Sequence, residues 1–172
     1  MLKYVAITIV FMICTFFGYY FGEKYKDRSN QLKEIQKAMI LLNTEVVFSN
    51  TAIPQALIKI SNAIMDPFAN IFQSTAKLLD EGIVMNVSEA FRYSYKENEE
   101  YIRLKSNDYR ILDDFFKVLG ESGVVGQEKI FKITMDSLIA SSIEAEKEVS
   151  VNTKMYRTLG LCLGLVFAVF FI

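Results

Sequence analysis

The sequence predicts an all-α protein, a six-helix antiparallel bundle flanked by N- and C-terminal transmembrane helices. Three observations lead there. The 172 residues are 52% apolar but only 23% charged, and the apolar excess sits in two blocks at the ends. Between the blocks, apolar residues recur at spacings of three and four, the period of a helix with one buried face. No alternating run bounded by Asn-Gly or Asp-Gly marks a hairpin.

The two blocks divide the chain into a first span (1–22), a middle domain (23–157) and a second span (158–172). Tyr4 to Phe21 carries no charge and is long enough to cross a hydrocarbon core of roughly 30 Å. A cleaved signal peptide fits less well, because only Lys3 represents a basic n-region and no small-residue cleavage site precedes Glu23. The second block, from Leu159, covers only about 21 Å as a helix. It crosses if Met155, Tyr156 and Thr158 join the span and Arg157 snorkels back to the headgroups. Lys24, Lys26 and Arg28 follow the first span, and Lys147, Lys154 and Arg157 precede the second. The positive-inside rule therefore places the middle domain in the cytoplasm and both termini outside. Cys14 and Cys162 both fall in the spans, which excludes a disulfide framework in the domain.

Within the domain, Leu32, Ile35, Met39, Leu42 and Val46 form the stripe of a first helix beginning near Ser29. Thr51 and Pro54 interrupt it, and Pro54 suits the first turn of a second helix from about Ile53 to Ala63. Asp66-Pro67 reads as a cap and first-turn proline for a third helix presenting Phe68, Ile71, Phe72, Thr75, Leu78 and Leu79 inward. Gly82 stands where a terminating glycine belongs. Asn86 with Glu89 resembles a capping box and opens a fourth helix through Phe91 and Tyr95. A fifth starts at Ser106 or Asn107, buries Leu112, Phe115, Phe116 and Leu119, and stops at Gly120 and Gly123. The sixth runs unbroken from Gln127 towards the C-terminal span, with Phe131, Met135, Leu138, Ser142, Ala145 and Val149 as its seam. Short connections between the helices imply antiparallel neighbours.

The chemistry is sparse. No histidine is present, which removes Ser-His, Cys-His and histidine-metal sites, and no phosphate-binding loop follows Gly123. No cofactor is expected, and the chain does not read as an enzyme. A net charge of −1 without a basic cluster argues against nucleic acid. Asp113 and Asp114 read as solvated surface. Glu45 lies beside the first apolar stripe, either capping the second helix or contacting a partner. Glu144 and Glu148, four apart, share a face of the last helix that is either solvated or meets a basic partner surface. On that reading, reversing both charges leaves helicity intact. In the spans, Gly18 and Gly22, and Gly160, Gly164 and Ala168, place small residues at the spacing that lets membrane helices pack closely, within one subunit or between subunits.

Several segments resemble a known family. These are Leu41-Leu42-Asn43-Thr44-Glu45-Val46-Val47-Phe48, the Ile53-Pro54 and Ala56-Leu57 that follow, the LGESG run from Leu119, Gln127 with Lys129, the EAEKE run from Glu144, and Lys154-Met155-Tyr156-Arg157 with Leu159-Gly160. In order and spacing they are similar to the stage III sporulation protein AB family, with Gly123 standing where an Asp is expected. That resemblance implies a GspF-like helical domain, akin to the cytoplasmic domains of type II secretion platform proteins. It implies a mother-cell membrane protein of endospore formers, in the channel joining mother cell and forespore. The implied partners are a cytosolic secretion-type ATPase and membrane channel subunits, besides the lipid bilayer, with self-association left open. The alternative is a small pore-forming or holin-like protein with a helical spacer, but neither span carries a polar stripe to line a pore.

Overall fold

A computed structural model describes residues 26–121 and 124–171. Among these there are six α-helices and no strand: α1 (26–43), α2 (Ile53–Ser61), α3 (Phe68–Asp80), α4 (Val87–Glu97), α5 (Ser106–Glu121) and α6 (Val124–Phe171). A π turn, Thr44–Phe48, extends α1, and a 3-10 turn, Glu99–Tyr101, follows α4. The chain divides into two compact units, Asn30–Ser142 and Met1–Ser29 with Ile143–Ile172.

In the larger unit, α2, α3, α4 and α5 pack each against the next. The Nε2 of Gln36 on α1 donates to the Leu138 carbonyl on α6 at 3.1 Å, and residues 39–44 of α1 flank residues 128–136 of α6, so these helices run antiparallel. The predicted α1 stripe is the buried one: Leu32, Ile35, Met39 and Leu42 are fully enclosed and Val46 nearly so. The inward residues foreseen on α5 are equally buried. On α3, Ala76 is enclosed while Leu78 and Leu79 stay half-exposed.

The centre of the core is aromatic. Phe116 stacks on Phe91 of α4 with ring centroids 4.2 Å apart and meets Phe72 of α3 edge-on at 5.9 Å. Its neighbour Phe115 packs on it at 5.2 Å and reaches Phe131 of α6 at 4.9 Å. Offset and edge-to-face pairs of this kind add to the burial of the rings.

The helix ends follow the sequence signals in part. After α3, Gly82 adopts φ +66°; its N–H bonds the Leu79 carbonyl and that of Ile83 bonds Leu78, a Schellman closure. The Asn86 Oδ1 accepts the Ser88 N–H at 2.8 Å and caps α4. Four expectations need correction. Asp66 does not cap α3: Pro67, joined by a cis peptide bond, holds the cap position without a side-chain hydrogen bond. α1 is already helical at residue 26, ahead of Ser29. Its far end unwinds through the π turn because Asn50, at φ 53°, reverses the chain and the Thr51 N–H closes on the Glu45 carbonyl. α5 runs one residue past Gly120, to Glu121, since a glycine inside a helix weakens it without forbidding it. α6 begins at Val124, before Gln127, and continues for 48 residues.

Among the described residues no helix is long and apolar enough to cross a membrane. The first expected span, with Gly18 and Gly22, lies outside the described residues. Gly160, Gly164 and Ala168 fall within the helical backbone of α6.

Replacing Phe116 with Ala is expected to cost about 3–5 kcal/mol, and Phe116→Leu less than half as much. Met85→Ala, at a position 96% exposed, should stay within about 0.5 kcal/mol. Thermal unfolding of the detergent-solubilised chain checks the order.

Candidate functional site

The side chains singled out from the sequence are occupied by partners within the chain. In the smaller unit, Arg28 on α1 is 7% exposed. Its Nη1 donates to Glu148 Oε2 at 3.0 Å, and its Nη2 lies 3.6 Å from Glu144 Oε2. The i, i+4 spacing that puts both acids on one face of α6 is what lets them grip a single guanidinium. Their face is therefore not free, although Glu144 stays half exposed. The expectation that both charges can be reversed without structural cost gives way, because two lysines would surround a buried arginine. Arg28, counted from sequence as a juxtamembrane charge, is the residue that reading missed. Its signal was one of three closely spaced basic residues, four positions before a buried stripe, too common a pattern to single out.

Glu45, on the π turn, also has partners. Its Oε2 accepts from Lys59 Nζ at 2.7 Å and from the Thr51 hydroxyl at 2.8 Å. These bonds, Lys59 first, hold its carboxyl below the usual range. Glu45 thus ties the end of α1 to α2 through side chains. The capping expectation is corrected: the cap residue of α2, Ala52, has no side-chain cap bond.

Three polar residues on α1 complete the pattern and were not foreseen. Gln31 donates to the Tyr101 carbonyl at 2.9 Å and accepts the Arg103 N–H at 2.8 Å, fixing the α4–α5 connection. Glu34 accepts the Met65 N–H at 3.1 Å, fixing the α2–α3 connection, and Gln36 reaches α6 as described. Loop backbone far from any helix partner would otherwise need water.

A second cluster lies between α4 and α5. Arg92 grips Asp113 with two nitrogens, the second at 2.7 Å, which corrects the expectation of a solvated acid there. That bond raises the Arg92 pKa further. Beside it, the rings of Tyr95 and Tyr109 meet at 4.6 Å, tilted by 49°, over a recess of about 460 Å³ that Lys96, Glu99 and Lys105 also line. Asp108, fully buried, accepts the Lys105 N–H at 3.0 Å and starts α5. Burial first, then the charges of Tyr109, Glu99 and Asp108, push the Tyr95 phenol up to about 12. Burial also raises Tyr109. Among the described residues no group of three acidic or cysteine side chains converges as metal ligands do.

Fold and contacts define a small all-helical protein, with aromatic packing inside its larger unit and charge pairs between its first and last helices in the smaller. Comparison with known proteins sharpens that class. The family model for stage III sporulation protein AB matches residues 3–172, and the chain belongs to that family. It is 26% identical over 166 residues to stage III sporulation protein AB of Bacillus subtilis (strain 168), covering 96% of each chain. It is also similar to a solved structure of stage III sporulation protein AB, with a TM-score of 0.66 and 25% identity over 72% of this chain and 96% of that one. Family membership gives the chain a role in sporulation.

Converting both Glu144 and Glu148 to Gln removes two acids from a guanidinium only 7% exposed, an expected loss of about 3 kcal/mol. Adding Arg28→Met should restore most of it; chemical denaturation of the three variants reads this directly. A second expectation concerns alkali. Because the folded Tyr95 holds its proton to about 12 while an unfolded tyrosine loses it near 10, the folded state binds more protons in that window. Stability is therefore full below pH 10 and falls by about 1–2 kcal/mol as pH rises to 12, after allowing for solvent screening. Tyr95→Phe should flatten that part of the pH–stability curve.

Proposed function

We propose that the chain is a non-enzymatic membrane platform of the mother cell–forespore channel, required for endospore formation. Its helical bundle faces the mother-cell cytoplasm, its two ends cross the membrane, and it binds a cytosolic secretion-type ATPase and membrane channel subunits. The observation that carries this reading is α6. One unbroken 48-residue helix leaves the packed bundle and runs into the apolar C-terminal block. A helix satisfies its backbone internally and so suits passage into lipid without an intervening loop. The span completes if Met155 to Thr158 join it and Arg157 snorkels, as the sequence suggests. A pore former with a spacer is less well supported, because an interlocked aromatic core is more than a spacer requires. Glu45, Glu144 and Glu148 then serve partner binding by fixing the helices that present the surface, with half-exposed Glu144 also within a partner's reach.

The test has two arms. With Cys14 and Cys162 replaced, a cysteine added at the C-terminus should react with an impermeant thiol reagent on intact cells, and one at Asn98 should not. The reverse labelling would overturn the orientation. Affinity purification of the full chain from sporulating membranes should recover the ATPase and channel subunits, and their absence would remove the platform reading.

A further inference from the structure

The chain enters and leaves the larger unit, Asn30–Ser142, at one end. Because α1 and α6 run antiparallel through the Gln36–Leu138 bond, the start of α1 in this unit and residues 138–142 of α6 share that end. Two connections reach it as well. Gln31 and Glu34, three apart, lie on one face of α1. Gln31 holds Tyr101 and Arg103 of the α4–α5 connection at 2.9 and 2.8 Å, and Glu34 holds Met65 of the α2–α3 connection at 3.1 Å. These bonds take backbone groups of Tyr101 and Met65, whose side chains are left 64% and 69% exposed. Exposure by itself selects nothing, since Met85 is 96% exposed on the turn before α4. That turn belongs to the other end. Val87, at the start of α4, packs beside Gly120 near the end of α5, and the 11 residues of α4 separate it from Tyr101 by about 16 Å.

We propose that this end of the larger unit lies against the lipid headgroup layer, with Met65 and Tyr101 as the side chains that enter it. The assignment rests on the reading that the apolar ends of the chain cross the membrane. Chain length supports it. The uncharged block ends at Phe21, ten positions before Gln31. Ten residues reach at most about 36 Å in any conformation, so the bound holds however the intervening residues are arranged. The end that carries Met85 is farther away by the length of α4. Chemistry fits the same surface. A tyrosine ring is amphipathic and suits headgroup depth, and an unbranched methionine adapts to irregular packing. Glu99 and Glu100 share the 3-10 turn with Tyr101, and Arg103 follows, so both signs are present. That mixture suits zwitterionic headgroups, whereas a strongly anionic layer would repel the acids.

The test uses the full-length chain reconstituted in phosphatidylcholine vesicles that carry a spin-labelled headgroup as quencher. With Cys14 and Cys162 replaced, a fluorophore is attached to a single cysteine in Met65→Cys, Tyr101→Cys or Met85→Cys. Substitution at such exposed positions should cost no more than about 0.5 kcal/mol. The bonds from Gln31 and Glu34 survive it, because they go to backbone. The labels of Met65→Cys and Tyr101→Cys should lose most of their emission, and that of Met85→Cys little. Equal quenching of all three, or quenching of Met85→Cys alone, overturns the proposal. So does a photo-crosslinking residue at Tyr101 that captures a second copy of the chain instead of lipid. A label on Cys14, with only Cys162 replaced, tests the premise through a quencher carried on the acyl chains. If Cys14 is quenched while Met65→Cys and Tyr101→Cys are not, the lipid-facing surface is wrong and the spanning reading stands. If Cys14 is not quenched, the spanning reading fails first and this proposal with it.

Discussion

Phe116 is the residue on which the packing of the larger unit depends. From one position on α5 it engages α3 through Phe72 and α4 through Phe91, and its neighbour Phe115 carries the contact to α6. A helix this short offers few inward positions, so placing two consecutive aromatics there lets one element touch three others. Ring geometry then fixes more than burial does. A stacked pair and an edge-on pair on the same ring restrict how α3 and α4 rotate about their axes. The remaining inward residues, mostly leucine, isoleucine and alanine, fill the space those rings define.

Around that core, α1 acts as a polar scaffold as well as an apolar stripe. Its Gln31 and Glu34 each take loop backbone groups, Gln36 bonds α6, and Glu45 reaches α2. One helix thereby satisfies groups that short connections leave open, which keeps those connections short. The ion pairs differ in kind. Lys59–Glu45 is solvent-facing and worth little alone, whereas Arg28 is enclosed and depends on its two acids.

Apolar periodicity made most of the architecture legible. The stripes of α1 and α5 and the seam of α6 are local patterns, set by 3.6 residues per turn, and the structure buries the residues they named except Met135 and Val149 on α6, which are half-buried. Glycine and asparagine signals worked where backbone conformation itself was the constraint, at Gly82 and Asn86. Side-chain pairings were not legible. Whether Glu148 faces water or an arginine depends on a residue 120 positions away, and no local pattern records that. The π turn escaped for a related reason: Thr44 to Phe48 continues an ordinary helical stripe, and only the reversal at Asn50 reveals the wider turn.

The separation of 120 residues between Arg28 and Glu148 also has a meaning in time. At translation rates of about 5–20 residues per second, the ribosome needs roughly 6–24 s after Arg28 to supply its acids. Through that interval neither acid is present to meet the guanidinium, while α2 to α5, whose contacts join sequence neighbours, already have theirs. The joint between the first and last helices is thus the final one to close during synthesis. Until it does, the nascent chain is a middle whose neighbour-to-neighbour contacts are made while its first and last helices have yet to meet.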